Sequence, residues 1–187
     1  SLKNDSKMIS RKNKPIDTLP HIANEIIGDV WLDGELYAHG LSFQENMKII
    51  KKNRPDSINV KYHVYDLIDE NLPFIDRYNR LVELVENAEH IEIVPTFKVS
   101  SLDELKEYHG RFLEQGYEGT MLRWGNEAYK INGRSSNLLK FKDFQDIVAK
   151  VIDVTPFVKD PNQGTIHCEY EGKVFKAGMK FPHAVRK

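Results

Sequence analysis

Two short runs, Glu118-Gly119-Thr120-Met121-Leu122-Arg123 and Leu138-Leu139-Lys140-Phe141-Lys142, carry charges at alternate positions of otherwise apolar segments. A period of two is the signature of a β-strand with two different faces. In such a strand Lys140 and Lys142 point the same way, and Leu139 and Phe141 point the other way into a core. Two ammonium groups on one face repel unless something anionic sits between them. A triphosphate, a nucleic-acid backbone or a carboxylate cluster would serve, and Glu118 adds a possible metal ligand. The plainer alternative is a sheet with a solvated lysine face. Charge counts bear on this choice. The whole chain has 27 Lys and Arg against 28 Asp and Glu, a net charge of −1, so it is no general polyanion binder. The stretch 119–150 holds six Lys and Arg against three acids, a local excess of +3 around the motif.

The rest of the chain alternates strand and helix signals. Val30 to Tyr37 reads as a strand with Val30, Leu32 and Leu36 facing the core and Trp31, Asp33, Glu35 and Tyr37 on the other face. Ser42-Phe43-Gln44-Glu45 matches a capping box and opens a helix to about residue 53. Residues 59–68 form a second strand, and 74–87 a helix with the stripe Phe74, Tyr78, Leu81, Val82 and Val85. A short strand at 91–94 ends at Pro95. A second capping box, Ser101 to Glu104, starts a helix that buries Leu102, Leu105, Tyr108 and Phe112 and stops at Gly116. Strands are expected at 119–124, 127–131 and 138–142, and residues 1–16 read as an exposed, partly ordered start. After Asp143 the pattern changes to short strands at 147–155, 164–170 and 173–178, with turns at Asp160–Gly164 and Glu171-Gly172. That pattern predicts the beginning of a small β-barrel.

Three further segments carry chemistry-bearing side chains. Asp33-Gly34-Glu35 sets two carboxylates on one strand face, about 7 Å apart by strand geometry, which suits a divalent cation or a ribose. The glycine would let a ligand approach the backbone. The bland alternative is a pair of solvated acids. In Tyr62-His63-Val64-Tyr65-Asp66, His63 and Tyr65 share a face. A tyrosine beside an acid can stack on a nucleobase, although a half-buried sheet tyrosine is the commoner case. His63 has no partner histidine at metal-site spacing and reads as structural. Ser10-Arg11 says nothing alone. No Gly-rich phosphate loop, His/Cys zinc cluster or Gly-x-Ser-x-Gly elbow occurs. The single cysteine, Cys168, excludes an internal disulfide framework and suits a reducing cytosol. No apolar run approaches membrane-spanning length, and no signal-peptide core is present.

Taken together and in order, these segments resemble the covalent nucleotidyltransferases, most closely the ATP-dependent DNA ligases of small phage or bacterial type. Ser10-Arg11 is similar to the arginine motif that follows the nucleophile, Asp33-Gly34-Glu35-Leu36-Tyr37 to motif III and Tyr62–Asp66 to motif IIIa. Glu118–Arg123 is similar to motif IV and Leu138–Lys142 to motif V. Tyr129, Arg134 and the following Asp143-Phe144-Gln145-Asp146 fit the same form, and Gly164–Arg186 is similar to the start of the OB-fold domain that follows in these enzymes. The resemblance implies an α+β, ATP-grasp-like nucleotidyltransferase domain with antiparallel sheets (residues 1–143), then a partial OB-fold barrel (144–187). It implies ATP and Mg²⁺ (or Mn²⁺) as cofactors and nicked duplex DNA as partner. A monomer in a bacterial or phage-infected host cytosol is expected, with no membrane association.

Roles follow by position. The resemblance implies that Glu35 contacts the ribose, Tyr65 stacks on adenine and Arg11 contacts a phosphate. Glu118, with Glu35, would bind metal. Lys140 and Lys142 would neutralise the α-phosphate, and Asp33 would assist later steps. One departure stands against the pattern. The family's nucleophile is the lysine of Lys-x-Asp-Gly, and no such motif occurs here. Lys3-Asn4-Asp5-Ser6 has serine for glycine and lies too close to Arg11. The expectation is a piece cut from a longer ligase, unable by itself to form the enzyme–AMP adduct. The alternatives are an RNA ligase, an mRNA-capping guanylyltransferase, or a non-catalytic nucleic-acid clamp.

Overall fold

Strand alternation around Leu32 and Val64 builds the centre of the protein. The computed structural model describes residues 2–3, 7–25, 29–143, 146–157 and 160–177, with backbone alone at 2–3 and 160–163. The chain divides into two compact units, 1–142 and 143–187. In the first, five strands form one sheet: β1 (Leu2–Lys3), β2 (Lys7–Met8), β3 (Leu32–Tyr37), β4 (Lys61–Leu67) and β5 (Ile91–Ile93), in the order β2-β1-β3-β4-β5. All pairs are antiparallel except β4 with β5. Parallel neighbours need a long crossover, and helix α3 (Phe74–Val85) supplies it, packing back on β4 and β5.

The core contains Leu32, Val60, Tyr62, Val64, Leu67, Leu81 and Ile91, all buried, with Leu19 and Ile22 around α1 (Pro20–Ala23). Burying a leucine such as Leu81 fully is worth about 1.5–3 kcal/mol. Met8 belongs to this core and Lys7–Met8 to the sheet, so residues 7–16 are more than the exposed start expected. Their polarity hid the apolar anchors Met8 and Ile16. Residues 4–6, which complete the Lys3-Asn4-Asp5-Ser6 segment, lie outside the described residues.

Helix α2 (Phe43–Lys51) opens with the expected capping box: the Glu45 N–H donates to Ser42 Oγ at 3.3 Å, and the Ser42 N–H donates to Glu45 Oε2 at 2.8 Å. Helix α4 (Leu102–Glu114) is capped differently. Ser101 Oγ accepts from the Glu104 N–H, but the Glu104 carboxylate reaches back one residue further, to the Ser100 N–H. The buried stripes also differ from expectation. In α4 Leu102 is exposed and His109 is buried beside Leu105. In α3 Val82 is exposed and Arg77 is fully buried. In each helix a hydrogen-bonded polar side chain holds a core position.

Strands β6 (Thr120–Arg123) and β7 (Leu138–Phe141) form a separate antiparallel pair. Residues 127–131 are no strand. Only the bridge between Pro73 and Ala128 appears there, because this loop is tied to α3 rather than to a neighbouring strand. Leu139 is half exposed against expectation. Helix α4 reaches Phe141, whose ring meets His109 edge-on at 4.6 Å, and leaves Leu139 largely uncovered.

The second unit contains an open antiparallel sheet of β8 (Lys150–Phe157), β9 (Asp160–Tyr170) and β10 (Lys173–Ala177), in the order β10-β9-β8. Among the described residues no barrel closes. The expected turn at Asp160–Gly164 is instead strand, with Phe157 paired to Asp160 and Pro156 to Gly164. Glu171 and Gly172 turn the second hairpin with φ of 48° and 73°, the two left-handed residues of a type I′ turn. Phe144, Gln145 and residues 178–187, which complete the motifs named above, lie outside the described residues.

Candidate functional site

The β6–β7 pair brings three charged side chains together. Lys140 Nζ donates to Glu118 Oε2 at 3.4 Å, and Lys142 Nζ lies 3.5 Å from the same oxygen. The carboxylate that separates the two ammonium groups is thus the protein's own. The hydrogen bond from Lys140, followed by the charge of Lys142, holds the Glu118 carboxyl below the usual range. All three side chains are exposed, and exposed ion pairs are weak, so a stronger anion can displace Glu118. Gly119 makes the crossing possible: a Cβ there would sit 2.7 Å from the Phe141 carbonyl oxygen.

A second cluster lies on β3 and β4. The register shifts between Asp33 and Gly34, so that Asp33 pairs with Asp66 and Gly34 with Val64, leaving Tyr65 as the extra residue of a bulge. Asp33 accepts two phenol hydrogen bonds, from Tyr65 OH to Oδ1 at 3.3 Å and from Tyr129 OH to Oδ2 at 2.6 Å. Burial first, then the adjacent Asp33, push both phenols well above their ordinary range. Gly34 has a different reason from the one expected. A Cβ there would meet the His63 carbonyl oxygen at 2.4 Å, so the close neighbour is the paired strand. Glu35 is exposed and lies opposite His63 in the register. His63 stacks on Tyr37 with ring centroids 3.8 Å apart, and burial lowers its pKa.

The two clusters are joined by a buried ion network. Asp66 accepts from Arg77 Nε at 2.8 Å, Arg77 Nη2 at 3.0 Å, Arg123 Nη2 at 2.8 Å and the Leu67 N–H at 2.9 Å. Arg77 Nη1 donates to the carbonyls of Leu72 and Glu127. The Arg123 guanidinium lies over the Phe74 ring at 4.0 Å. Arg123 sits on β6, five residues after Glu118, so the network ties the Glu118–lysine pair to the strand of Tyr65. The sequence reading missed Arg77, Asp66 and Arg123 as a unit. A signal was available, since Arg77 falls on the α3 stripe between Phe74 and Leu81. Arg11 lies apart from these contacts, exposed in a turn closed by Ser10 N–H to the Lys14 carbonyl at 2.8 Å.

The sequence matches the family model described as ATP dependent DNA ligase domain over residues 3–142. The chain belongs to this family. The match ends where the first compact unit ends. Members of this family are ATP-dependent ligase enzymes. The chain is 29% identical over 100 residues to the DNA ligase of Enterobacteria phage T4, covering 54% of this chain and 20% of that protein. It is 29% identical over 160 residues to the DNA ligase of African swine fever virus (strain Badajoz 1971 Vero-adapted), covering 77% of this chain and 37% of that protein. It therefore spans between a fifth and about two fifths of these relatives. Among solved structures, a Lig E DNA ligase superposes with a TM-score of 0.77 at 24% identity, over 98% of this chain and 74% of that one. The Chlorella virus DNA ligase-adenylate superposes with a TM-score of 0.62 at 27% identity, over 96% and 72%. No described helix is long and apolar enough to cross a membrane.

Proposed function

We propose that these residues form the nucleotide-handling part of an ATP-dependent DNA ligase that seals nicks in duplex DNA through enzyme–AMP and DNA–adenylate intermediates. The observation that carries the reading is the Glu118–Lys140–Lys142 cluster inside a family match covering residues 3–142. Two exposed ammonium groups sharing one displaceable carboxylate suit an α-phosphate and the charge that grows on it during transfer. The carboxylate oxygens of Glu118 and Glu35 are the hard donors that Mg²⁺ or Mn²⁺ prefers, and such a cation would shield the phosphate charge.

In this reading Lys140 and Lys142 hold the α-phosphate, and Glu35 meets the ribose. Tyr65, a residue 42% exposed, offers a face to adenine. Arg11 meets a phosphate, and Asp33 assists the later steps. Residues 1–143 serve as adenylation domain and 144–187 as part of an OB-fold that, with the local basic excess, meets nicked DNA in the cytoplasm. The 187 residues contain no Lys-x-Asp-Gly. The chain by itself is therefore expected to take up no covalent label from radiolabelled ATP and Mg²⁺. The whole gene product, assayed on nicked DNA and RNA with ATP or GTP, should seal DNA with ATP. Sealing of RNA alone, or use of GTP alone, would move the assignment to an RNA ligase or a capping enzyme.

A further inference from the structure

The loop after β6 does something neither motif IV nor motif V explains. It leaves the β6–β7 pair at Trp124, returns at Leu138, and in between crosses to α3 and the segment that precedes it. There it is fastened at four points: the Ile75 N–H donates to Asn126 Oδ1 at 3.0 Å, Arg77 Nη1 donates to the Glu127 carbonyl at 3.0 Å, Pro73 and Ala128 form a bridge, and the Tyr129 N–H donates to the Asp69 carbonyl at 3.3 Å. These ties hold the backbone of Tyr129, and the Arg77 guanidinium lies 5.8 Å from the centre of its ring. The phenol then reaches Asp33 Oδ2 at 2.6 Å, while Asp33 Oδ1 receives the Tyr65 phenol.

Asp33 is therefore a carboxylate whose two oxygens are each used by a phenol, one from the bulge of β4 and one from a loop that starts on β6. A tyrosine ring anchored only at Cβ turns about χ1 and χ2. One anchored at its hydroxyl as well can no longer swing about χ1, which fixes the direction of the ring, since the oxygen lies on the χ2 axis. Tyr65 is the extra residue of a bulge, where ladder pairing does not fix its direction. Its partner Asp33 is fixed in turn by Tyr129. Arg77 adjusts both ends, because the same side chain binds Asp66, the neighbour of Tyr65, and Glu127, two residues before Tyr129.

We infer that Tyr129 is a positioning residue for the base: through Asp33 it sets the direction of the Tyr65 ring on which a purine stacks. The inference rests on the nucleotide-site reading above and deepens it. It separates two parts of nucleotide recognition. The base is read by Tyr65 and depends on the clamp. The sugar-phosphate is held by charged groups that do not.

Calorimetry of the chain with AMP and with ribose 5-phosphate, which has no base, tests this. In the wild type AMP should bind more tightly than ribose 5-phosphate, and Tyr65→Leu should bring the two together. Tyr129→Phe removes one hydroxyl and leaves the ring in place. It should weaken AMP about three- to tenfold, the range expected for one lost hydrogen bond, with ribose 5-phosphate unchanged. Adding Tyr129→Phe to Asp33→Asn should weaken AMP no further than Asp33→Asn alone. Unchanged AMP affinity in Tyr129→Phe overturns the clamp, as does an equal loss on both ligands, which would mean a merely structural role. If wild-type AMP binds no better than ribose 5-phosphate, or Tyr65→Leu changes nothing, the nucleotide reading itself fails and takes the clamp with it.

Discussion

At Arg77 a full positive charge sits at 0% exposure, and its cost is met by four hydrogen bonds, to Asp66, Leu72 and Glu127, and by two aromatic rings. Buried charges persist only when paired and hydrogen-bonded. Arg77→Ala would leave Asp66 with only Arg123 and the Leu67 N–H and strand two carbonyls. It should destabilise the first unit by about 3–5 kcal/mol in urea unfolding. A loss below about 1 kcal/mol would mean that Arg123 and water can replace the guanidinium. Lysine is no substitute, since it cannot present the planar fork that meets both Asp66 oxygens. The lysines of the proposed phosphate site pose the opposite case, because exposure makes their ion pairs weak and leaves them free for a ligand. Lys140→Ala should therefore weaken ATP binding by about five- to tenfold with little change in stability, whereas Lys150→Ala, on β8, should leave it unaltered. Equal affinities for the two variants in calorimetry would remove Lys140 from the site.

Among the elements, the two glycines that precede or interrupt the motif strands share one function. Gly34 and Gly119 lie where a Cβ would stand 2.4 Å and 2.7 Å from the carbonyl oxygens of His63 and Phe141. Backbone atoms cannot move aside as a flexible side chain does, so Gly34→Ala should cost about 1–3 kcal/mol and disturb the Asp33 register. Gly110, inside α4, meets nothing within 4 Å. Gly110→Ala should stabilise by about 0.5–1 kcal/mol through helix propensity, and chemical denaturation of the pair checks both signs. If Gly34→Ala proves as mild as Gly110→Ala, the β3–β4 approach is softer than the structure shows. The same elements mark what a sequence reading can reach. The faces of β3 and β4, both capped helices and the Lys140–Lys142 face were legible because each rests on a local period or an i,i+3 pair. The Asp66–Arg77–Arg123 network, the Tyr129–Asp33 bond and the loop at 127–131 were not. Their partners lie 11 to 96 residues apart, and a polar residue on an apolar stripe counts locally as a defect. Leu102 and Val82 were misplaced for the converse reason, since apolar side chains are not all needed inside.

For the whole molecule, pH exposes how much the fold depends on neutral phenols. Tyr37 is pushed up to about 12, by burial first and then by Tyr117. Tyr62, Tyr65 and Tyr129 are likewise pushed well above their ordinary range, each by burial first, and Asp33 contributes to all three. An unfolded tyrosine titrates near 10. A folded pKa above the unfolded one means that the folded chain holds its protons more tightly, so this stability is fully present below about pH 10 and is lost as the pH rises through 12. His63 acts at the other end. Burial lowers its pKa, so the folded chain favours the neutral ring. Its contribution is complete above about pH 6.5 and declines as the pH falls below that value. The melting temperature should hold between these limits and fall on both sides. Asp33→Asn removes the negative charge facing three of the four phenols, so its melting temperature should fall less steeply above pH 10 than that of the wild type, whatever its absolute value. His63→Gln should flatten only the acid side. Parallel alkaline limbs for Asp33→Asn and wild type would show that the Asp33 carboxylate is not felt by the tyrosines around it, and that the hydrogen bonds joining β3, β4 and the 124–130 loop do not persist in solution.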